Sequence, residues 1–477
     1  MANLGIHVKE QATAVSTPVV ANSGIPFVVG LAPGHCASNP AKANLPVLCT
    51  SWAEAVEKLG FSYDWGTYTL CEFMYSHFQL FGCQPVIFCN VLDPATMKKE
   101  VQAADHDVVD HKISLPFGII NDNSLVVRSG EDELERDTDY SVLYDEKKGV
   151  CIVELLSSSG HYSTQSLNVA GNTVTPDAVS DTDIVSSLGA VDACMNVTGV
   201  IPDLICAPGF SHIPAVAAVM AAKAAGINGL FRAKALVDVF TGDNGVREVS
   251  QLLEWKTKNS MTDENQIVCW PMVKMGEYKF HLSTQIAGLM AQVDAGNNGC
   301  PYESPSNKAL KIDGCCLLDG TEINLTWEQV QMIAGNYGIV TALNFMSIGW
   351  TLKGNYTACY PGNTDVKDCF IPVSRMFDWV ANTLIRTYWS KLDKPMNRRL
   401  IDTVLDTCNI WLNGLVADER LLGARAEVSE DENPLNDLLA GILRIHIYLT
   451  PPCPAQEIDF TLEYSVDYAT AALQSAG

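Results

Sequence analysis

Two short segments at opposite ends of the chain alternate apolar and polar residues with a period of two. In EIDFTLEYSV (457–466), Ile458, Phe460, Leu462, Tyr464 and Val466 alternate with Asp459, Thr461, Glu463 and Ser465. In LGIHVKE, Leu4, Ile6 and Val8 alternate with Gly5, His7 and Lys9. This pattern predicts a strand with one dry and one wet face. The prolines of TPPCPAQ (Pro451, Pro452, Pro454) hold the C-terminal strand away from whatever precedes it. Both edges of such a strand carry unpaired N–H and C=O groups, so the question is whose sheet it completes.

Between these ends the patterning changes several times. GIPFVVGLAPG (24–34) and QPVIFCNVL (84–92) are apolar runs bounded by Gly and Pro, the mark of buried strands. SWAEAVEKLG (51–60) predicts a helix with Ser51 as N-cap, Glu54 as capping-box partner and Gly60 at its end. LCEFMYSHFQLFG adds a second helix, and strand–helix–helix–strand order indicates an α/β layer. From about 113 to 176, Ser-, Asn-, Asp-, Gly- and Thr-rich sequence carries short hairpin-like runs and no helical stripe, which predicts a β-rich insertion. The α/β pattern resumes at DIVSSLGAVDACMNV, IPDLICAPG and AVAAVMAAKAAG. Past residue 300, 3.6-residue stripes take over. Phe377, Val380, Leu384 and Tyr388, widened by Ile385, Trp389 and Leu392, form one; Ile401, Val404, Leu405, Cys408, Trp411, Leu412 and Leu415 form another. ILRIHIYLT (442–450) is a further alternating strand. The expected organisation is an N-terminal arm (1–22), an α/β core (23–95 and 181–299), a β-rich insertion (96–180), a C-terminal domain (300–450) and a C-terminal arm (451–477).

Composition narrows the function classes. With 47% hydrophobic and 18% charged residues, 477 residues describe a globular protein of roughly three domains. The N-terminal MANLGIHVKEQATAVST has no apolar h-region, so no secretory signal is expected, and 204–222 is broken by Pro208, Gly209 and Pro214, so no membrane span is expected there. The sixteen cysteines show no C-x-x-C spacing and read as reduced, buried thiols of a cytoplasmic protein, not as disulfides or a zinc site. A net charge of −24 argues against direct nucleic-acid binding and keeps free subunits apart. There is no phosphate loop, dinucleotide fingerprint, nucleophile elbow or H-E-x-x-H, so no catalytic residue, cofactor or metal is expected. DHDVVDH (105–111) reads as a polar connector, Asp402 and Asp406 as a solvated helix face, and EVSEDEN (427–433) as an exposed acidic loop. Two features fit such readings less well. Trp379 lies on the polar side of its helix with Asn382, Thr383 and Arg386, as an interface aromatic would, or as a residue buried against another domain of the same chain. Arg386, Lys391, Lys394, Arg398 and Arg399 form a basic island suited to an acidic partner or to the chain's own acidic loop.

SPSNKALKIDG (304–314), GIVTALNF (338–345), DVKDCFIPVSRMFDWVANTLIRTYW (365–389), NRRLIDTVLDTCNIWLNGLVA (397–417) and RIHIYLTPPCPAQEIDFTLEY (444–464) closely resemble the tail sheath proteins of contractile bacteriophages and phage-tail-like bacteriocins. GIPFVVGLAP resembles them too, whereas 96–180 resembles the family's β-sandwich insertion only in texture. The resemblance implies an α/β (α+β) multidomain core with a β-rich insertion and extended N- and C-terminal β arms. It implies a non-enzymatic subunit that polymerises as stacked hexameric rings, a helical cylinder around a tail tube protein, and contracts to drive that tube through a bacterial envelope. Baseplate and tail terminator proteins would be further partners. The protein would be assembled in the host cytoplasm and end in a virion tail or a similar particle. On this reading Leu4, Ile6 and Val8, and Ile458, Phe460, Leu462, Tyr464 and Val466, join the sheets of neighbouring subunits, and the basic island faces the tube. The competing readings are an unrecognised α/β enzyme and another self-assembling shell, such as a surface layer.

Overall fold

The computed structural model describes residues 18–346 and 348–474, so Leu4, Ile6 and Val8 lie outside the described residues. Its centre is a six-stranded sheet in the order Gln266–Cys269, Lys234–Asp238, Leu204–Cys206, Pro26–Gly30, Val86–Asn90, Val47–Cys49. Five strands are parallel, and Val47–Cys49 runs antiparallel to Val86–Asn90 at one edge. The parallel strands are buried along their whole length, which is why they read as continuous apolar runs and not as alternations. Helices Pro214–Ala225 and Leu282–Gly296 pack against Lys234–Asp238. Taken in chain order, the parallel strands follow the doubly wound order 2-1-3-4-5.

Between Lys98 and Val174 the chain forms two antiparallel sheets, one of four strands and one of three, around a hydrophobic cluster of their own that includes Ile113, Val127, Val153 and Leu167. Alternating burial along Lys112–Pro116, Val150–Leu155 and Ser166–Val174 gives each sheet one inner and one outer face. This unit meets the α/β sheet through an aromatic joint. The His35 ring lies 5.7 Å from both Phe117 and Tyr144 and 6.3 Å from Tyr68, and its Nε2 is 2.9 Å from the Phe117 carbonyl.

The C-terminal region pairs helices Ile371–Tyr388 and Arg398–Ala417 over Met376, Val380, Cys408 and Leu412, with the hairpin of Gly423–Glu427 and His446–Thr450 laid against them. After that hairpin the proline leash stays on the body: Pro451 is buried, and the Tyr356 hydroxyl donates to Gln456 Oε1 at 2.8 Å. Beyond it the structure departs from the sequence expectation. Residues 457–465 form no strand within their own chain, and Val466 opens a helix, Val466–Gln474, instead of closing a strand. At the first helix, Ser51 Oγ does accept the Glu54 N–H at 3.2 Å, but the Glu54 carboxylate turns back to Thr50 and Lys58 and not to Ser51, so the capping box is only half made.

The joint at His35 sets a pH dependence. Burial, opposed by the Phe117 carbonyl, lowers the imidazole to about 4 from its usual 6.5, so the ring is neutral in the fold. As pH falls from 6.5 towards 4 the unfolded chain takes up a proton that the folded one does not, and stability is lost across that window. Replacing His35 with Gln is expected to flatten the acid limb of unfolding free energy against pH by on the order of 1–2 kcal/mol, less than full burial would give because the ring is partly exposed. Denaturant titrations at pH 7, 5.5 and 4.5 check this; parallel wild-type and H35Q curves would refute it.

Candidate functional site

In a doubly wound sheet, ligands bind outside the carboxyl ends of the parallel strands, so that crevice is where an enzyme of this architecture would keep its site. Here its polar groups are consumed by one another. The Asp238 carboxylate accepts the Ser211 hydroxyl at 3.1 Å, the Ser283 N–H at 3.0 Å and the Ser283 hydroxyl at 2.5 Å. Asn90 bridges the next strand end, accepting the Ala32 N–H at 2.8 Å and donating to the Ala32 carbonyl at 3.1 Å. Glu72 holds both the backbone N–H and the ring Nδ1 of His281. Burial disfavours a charged imidazole there, but the Glu72 carboxylate outweighs it and raises His281 to about 9, which fixes a structural ion pair and not a base poised near neutrality. Thiols offer no nucleophile either: burial pushes Cys49 and Cys89 up to about 12. Among the described residues no group of three or more His, Cys, Asp and Glu is placed to hold a metal ion.

The groups left without internal partners lie at the periphery. Ile458, Phe460, Leu462, Tyr464 and Val466 are 70%, 86%, 95%, 80% and 66% exposed, five large apolar side chains standing in water on one segment. The C-terminal hairpin has an open edge as well. Asn409 bonds both the N–H and the C=O of Ala426, closing the outer side of Gly423–Glu427. Ala426 is therefore in a non-hydrogen-bonded pair with Ile447, and by the antiparallel alternation Ile447 and Leu449 turn their N–H and C=O groups away from the hairpin. Among the described residues no strand lies beside them.

No family model matches the sequence. A curated tail sheath protein of Burkholderia phage BcepMu is 25% identical over 484 aligned residues, which cover 97% of both chains. Along nearly its whole length the chain is thus similar to a contractile tail sheath protein. The fold agrees along nearly its whole length with sheath-type chains of solved assemblies. One is the sheath complex of the extracellular contractile injection system PVC in its contracted state, with a TM-score of 0.58 and 14% identity over 98% of this chain and 99% of that one. Another belongs to the 6-fold symmetrised baseplate of the anti-feeding prophage, with a TM-score of 0.58 and 15% identity over 98% and 100%.

Trp379 is not a surface residue. It is 4% exposed, its Nε1–H donates to the Ala21 carbonyl at 3.0 Å, and its ring lies 5.8 Å from Trp411. The reason is that helix Ile371–Tyr388 has two buried faces. The apolar one packs on Arg398–Ala417. The polar one grips the root of the N-terminal segment and the α/β sheet: Thr383 Oγ1 accepts from Ala21 N–H and Thr387 Oγ1 from Val19 N–H, each at 3.0 Å, and Asn382 clasps both backbone groups of Arg232. Arg375 lies within 2.8 Å of Asp203 and 2.5 Å of Asp294, and Asp378 within 2.9 Å of Lys234. The polar stripe Arg375, Asp378, Asn382, Thr383 and Thr387, with helical spacing, was the legible sign of this second contact.

The basic island splits in two. Arg386 is half-buried and donates to the Val20 carbonyl at 3.2 Å, whereas Lys394, Arg398 and Arg399 are exposed and Lys391 is half-exposed. Arg398 and Arg399 open the helix Arg398–Ala417, where the helix dipole favours acidic residues; Arg398 lies 3.8 Å from Asp402 one turn on, but so exposed a pair adds little to stability. Beside Arg386 lies a groove of about 410 Å³ lined by Val19, Ile201, Ile227, Leu230, Ile385 and Trp389 among others, which sequence patterning did not reveal because its wall is drawn from four separate stretches of chain.

Arg375→Met tests the polar face. It leaves Asp294 buried and uncompensated, and is expected to cost about 3–5 kcal/mol. Adding Asp294→Leu and Asp203→Asn should restore a good part of that loss in chemical denaturation. A single variant as stable as wild type would show that the cluster is not holding the helix.

Proposed function

We propose that the chain polymerises with copies of itself into a contractile cylinder of stacked six-membered rings around a tail tube, each subunit giving its C-terminal arm to the sheet of a neighbour. The observation that carries this reading is the pairing of unmet needs on one chain. Segment 457–466 exposes five apolar side chains, and the hairpin strand His446–Thr450 has an open edge. Strand addition at that edge satisfies both, with main-chain hydrogen bonds and alternate side chains buried against the host sheet. The N-terminal arm, with Leu4, Ile6 and Val8, would add a second connection of the same kind. The leash is suited to the task, because three prolines between 451 and 454 keep it extended and reduce the entropy lost when it is stretched between subunits.

Lys391, Lys394, Arg398 and Arg399 would meet an acidic tube surface, in keeping with two arginines at a helix start that internal stability disfavours. Baseplate and tail terminator proteins would bound the two ends of the cylinder. Assembly would take place in the bacterial host cytoplasm before the particle, a phage tail or a tail-like injection device, leaves the cell.

Truncation after Gln456 retains the hairpin and the leash contact to Tyr356. It is expected to give a folded monomer with unchanged circular dichroism that forms no cylinders by negative-stain microscopy, whereas the full chain does; cylinders from the truncated chain would falsify the arm reading. Charge reversal at Lys394, Arg398 and Arg399 to Glu is expected to reduce assembly on tubes at least tenfold while leaving tube-free polymers intact. Equal yields on tubes in a co-assembly assay would remove the island from the tube interface.

A further inference from the structure

We infer that the groove beside Trp389 is the seat of the C-terminal helix, Val466–Gln474, of a second copy of this chain. The inference rests on the reading that the arm is donated to a neighbour and adds where its last residues go. A nine-residue helix is too short to be stable alone in water, so it needs a surface to lie on. On the described part of its own chain its large side chains stay uncovered: Val466, Tyr468 and Leu473 are 66%, 82% and 80% exposed. The groove presents the converse, an apolar hollow whose rim leaves Met195, Leu230 and Trp389 43%, 40% and 58% exposed. Val466, Ala469 and Leu473 recur at three- and four-residue spacing, and the short alanine between the two larger residues lets the helix approach closely.

Charge selects the same occupant. Segment 457–474 carries Glu457, Asp459, Glu463 and Asp467 and no lysine or arginine. On the groove wall Asp192 is already engaged by the Lys223 ammonium and the Asn228 N–H, which leaves Arg386 as the charge facing an incoming chain. A partner with acidic residues and small apolar ones suits that wall, and the chain's own C-terminus has this composition.

A second copy is favoured over a fold-back because the helix of this chain stays exposed although its own groove is within reach. The leash crosses the body at Pro372, in the first turn of helix Ile371–Tyr388, while the groove lies at its last turn, against Ile385, Arg386 and the following Trp389. At 1.5 Å per residue that is about 25 Å. Residues 457–465 reach about 30 Å when fully extended. A fold-back is thus possible in length, but it would lay the segment along its own body and remove it from any neighbouring sheet.

The test uses the full chain with Cys453, the exposed cysteine, replaced by Ser; the other cysteines are buried or half-buried. Leu230→Cys and Leu473→Cys are introduced together, polymers are assembled, and disulfides are formed by mild oxidation. The expected result is a ladder of dimers, trimers and higher oligomers on non-reducing gels, absent from either single variant. Chains that stay unlinked, as they would if the N-terminal residues or a small molecule filled the groove, overturn the proposal, and so do links confined within single chains. A second variant ends after Ser465, which keeps the strand and removes the helix. It is expected to polymerise at least tenfold less than the full chain, and full polymerisation would overturn the proposal even if the cysteine pair failed to assemble. The two readings separate cleanly: the arm reading falls only if the chain cut after Gln456 assembles, whereas this one falls if the chain cut after Ser465 does.

Discussion

Arg375 joins four stretches of chain that are remote in sequence. Its guanidinium, 3% exposed, bridges Asp203 ahead of a core strand, Asp294 on helix Leu282–Gly296 and Ser23 at the root of the N-terminal segment. A single charge at that depth would be prohibitive; two carboxylates and a hydroxyl make it tolerable only in one geometry. Burial raises the Asp294 carboxyl, and the Arg375 charge opposes that shift, so Asp294 depends on Arg375 to ionise while the permanently charged guanidinium depends on the carboxylates for its counter-charge. A hydrophobic cluster could slide and stay favourable. This cluster cannot, because any separation leaves a charge without its partner in a poorly polarisable interior. Helix Ile371–Tyr388 is thereby fixed to the sheet, and Asn382 with Arg232 and Asp378 with Lys234 extend the same constraint along its polar face.

That rigidity decides where motion and connection are left. The N-terminal segment is gripped from Val19 to Ser23 by the helix that carries the node, so tension on an arm leading from residue 18 is delivered to the whole body and not to a loose strand. At the other terminus the last firm attachments are the buried Pro451 and the Tyr356–Gln456 bond. The C-terminal segment therefore leaves a body that can turn as a unit. The β-rich unit is attached differently, through aromatic contacts around His35 with a single hydrogen bond to a backbone carbonyl, a joint that tolerates small rotations better than an ion cluster does. On the proposed function, this distribution of stiff core and compliant periphery would let a subunit change its neighbours' spacing without unfolding.

Much of the core was legible because its signals are local. Continuous apolar runs gave the parallel strands, the Ser51–Gly60 frame gave the helix between caps, and alternation around 113–176 gave antiparallel sheets. Helix Ile371–Tyr388 was legible on one face and ambiguous on the other. Its apolar stripe announced burial, but its polar stripe suited a subunit interface as well as a contact within the chain, since nothing in the sequence reveals that Asp203, Asp294 and Arg232 arrive from elsewhere to meet it. Trp379 stayed open between those two readings for that reason, and the fold resolves it as a buried contact. The C-terminal arm shows the opposite limit. Its period of two is real, yet a strand exists only with a partner, and within one chain Val466 finds it better to begin a helix than to extend an unpaired edge. The groove beside Trp389 had no sequence signature at all, because its wall is assembled by the fold.

The remaining question is how so acidic a chain associates with itself. With 55 acidic and 31 basic residues, approaching subunits repel, but at physiological salt that repulsion is screened beyond roughly 8 Å. The attractions proposed for the C-terminal arm, strand hydrogen bonds and burial of Ile458, Phe460, Leu462 and Tyr464, would act only at contact and be indifferent to screening. A long weak repulsion combined with a short strong attraction opposes random encounter and favours association wherever something first brings subunits into register. The exposed cations around Lys394, Arg398 and Arg399 are the one local exception to the acidic surface that the sequence concentrates in so few residues. An acidic template would be attracted there at distances where another subunit is still repelled. The placement of those cations at a helix start, where they detract from stability, is what a surface shaped by assembly and not by folding alone would be expected to show.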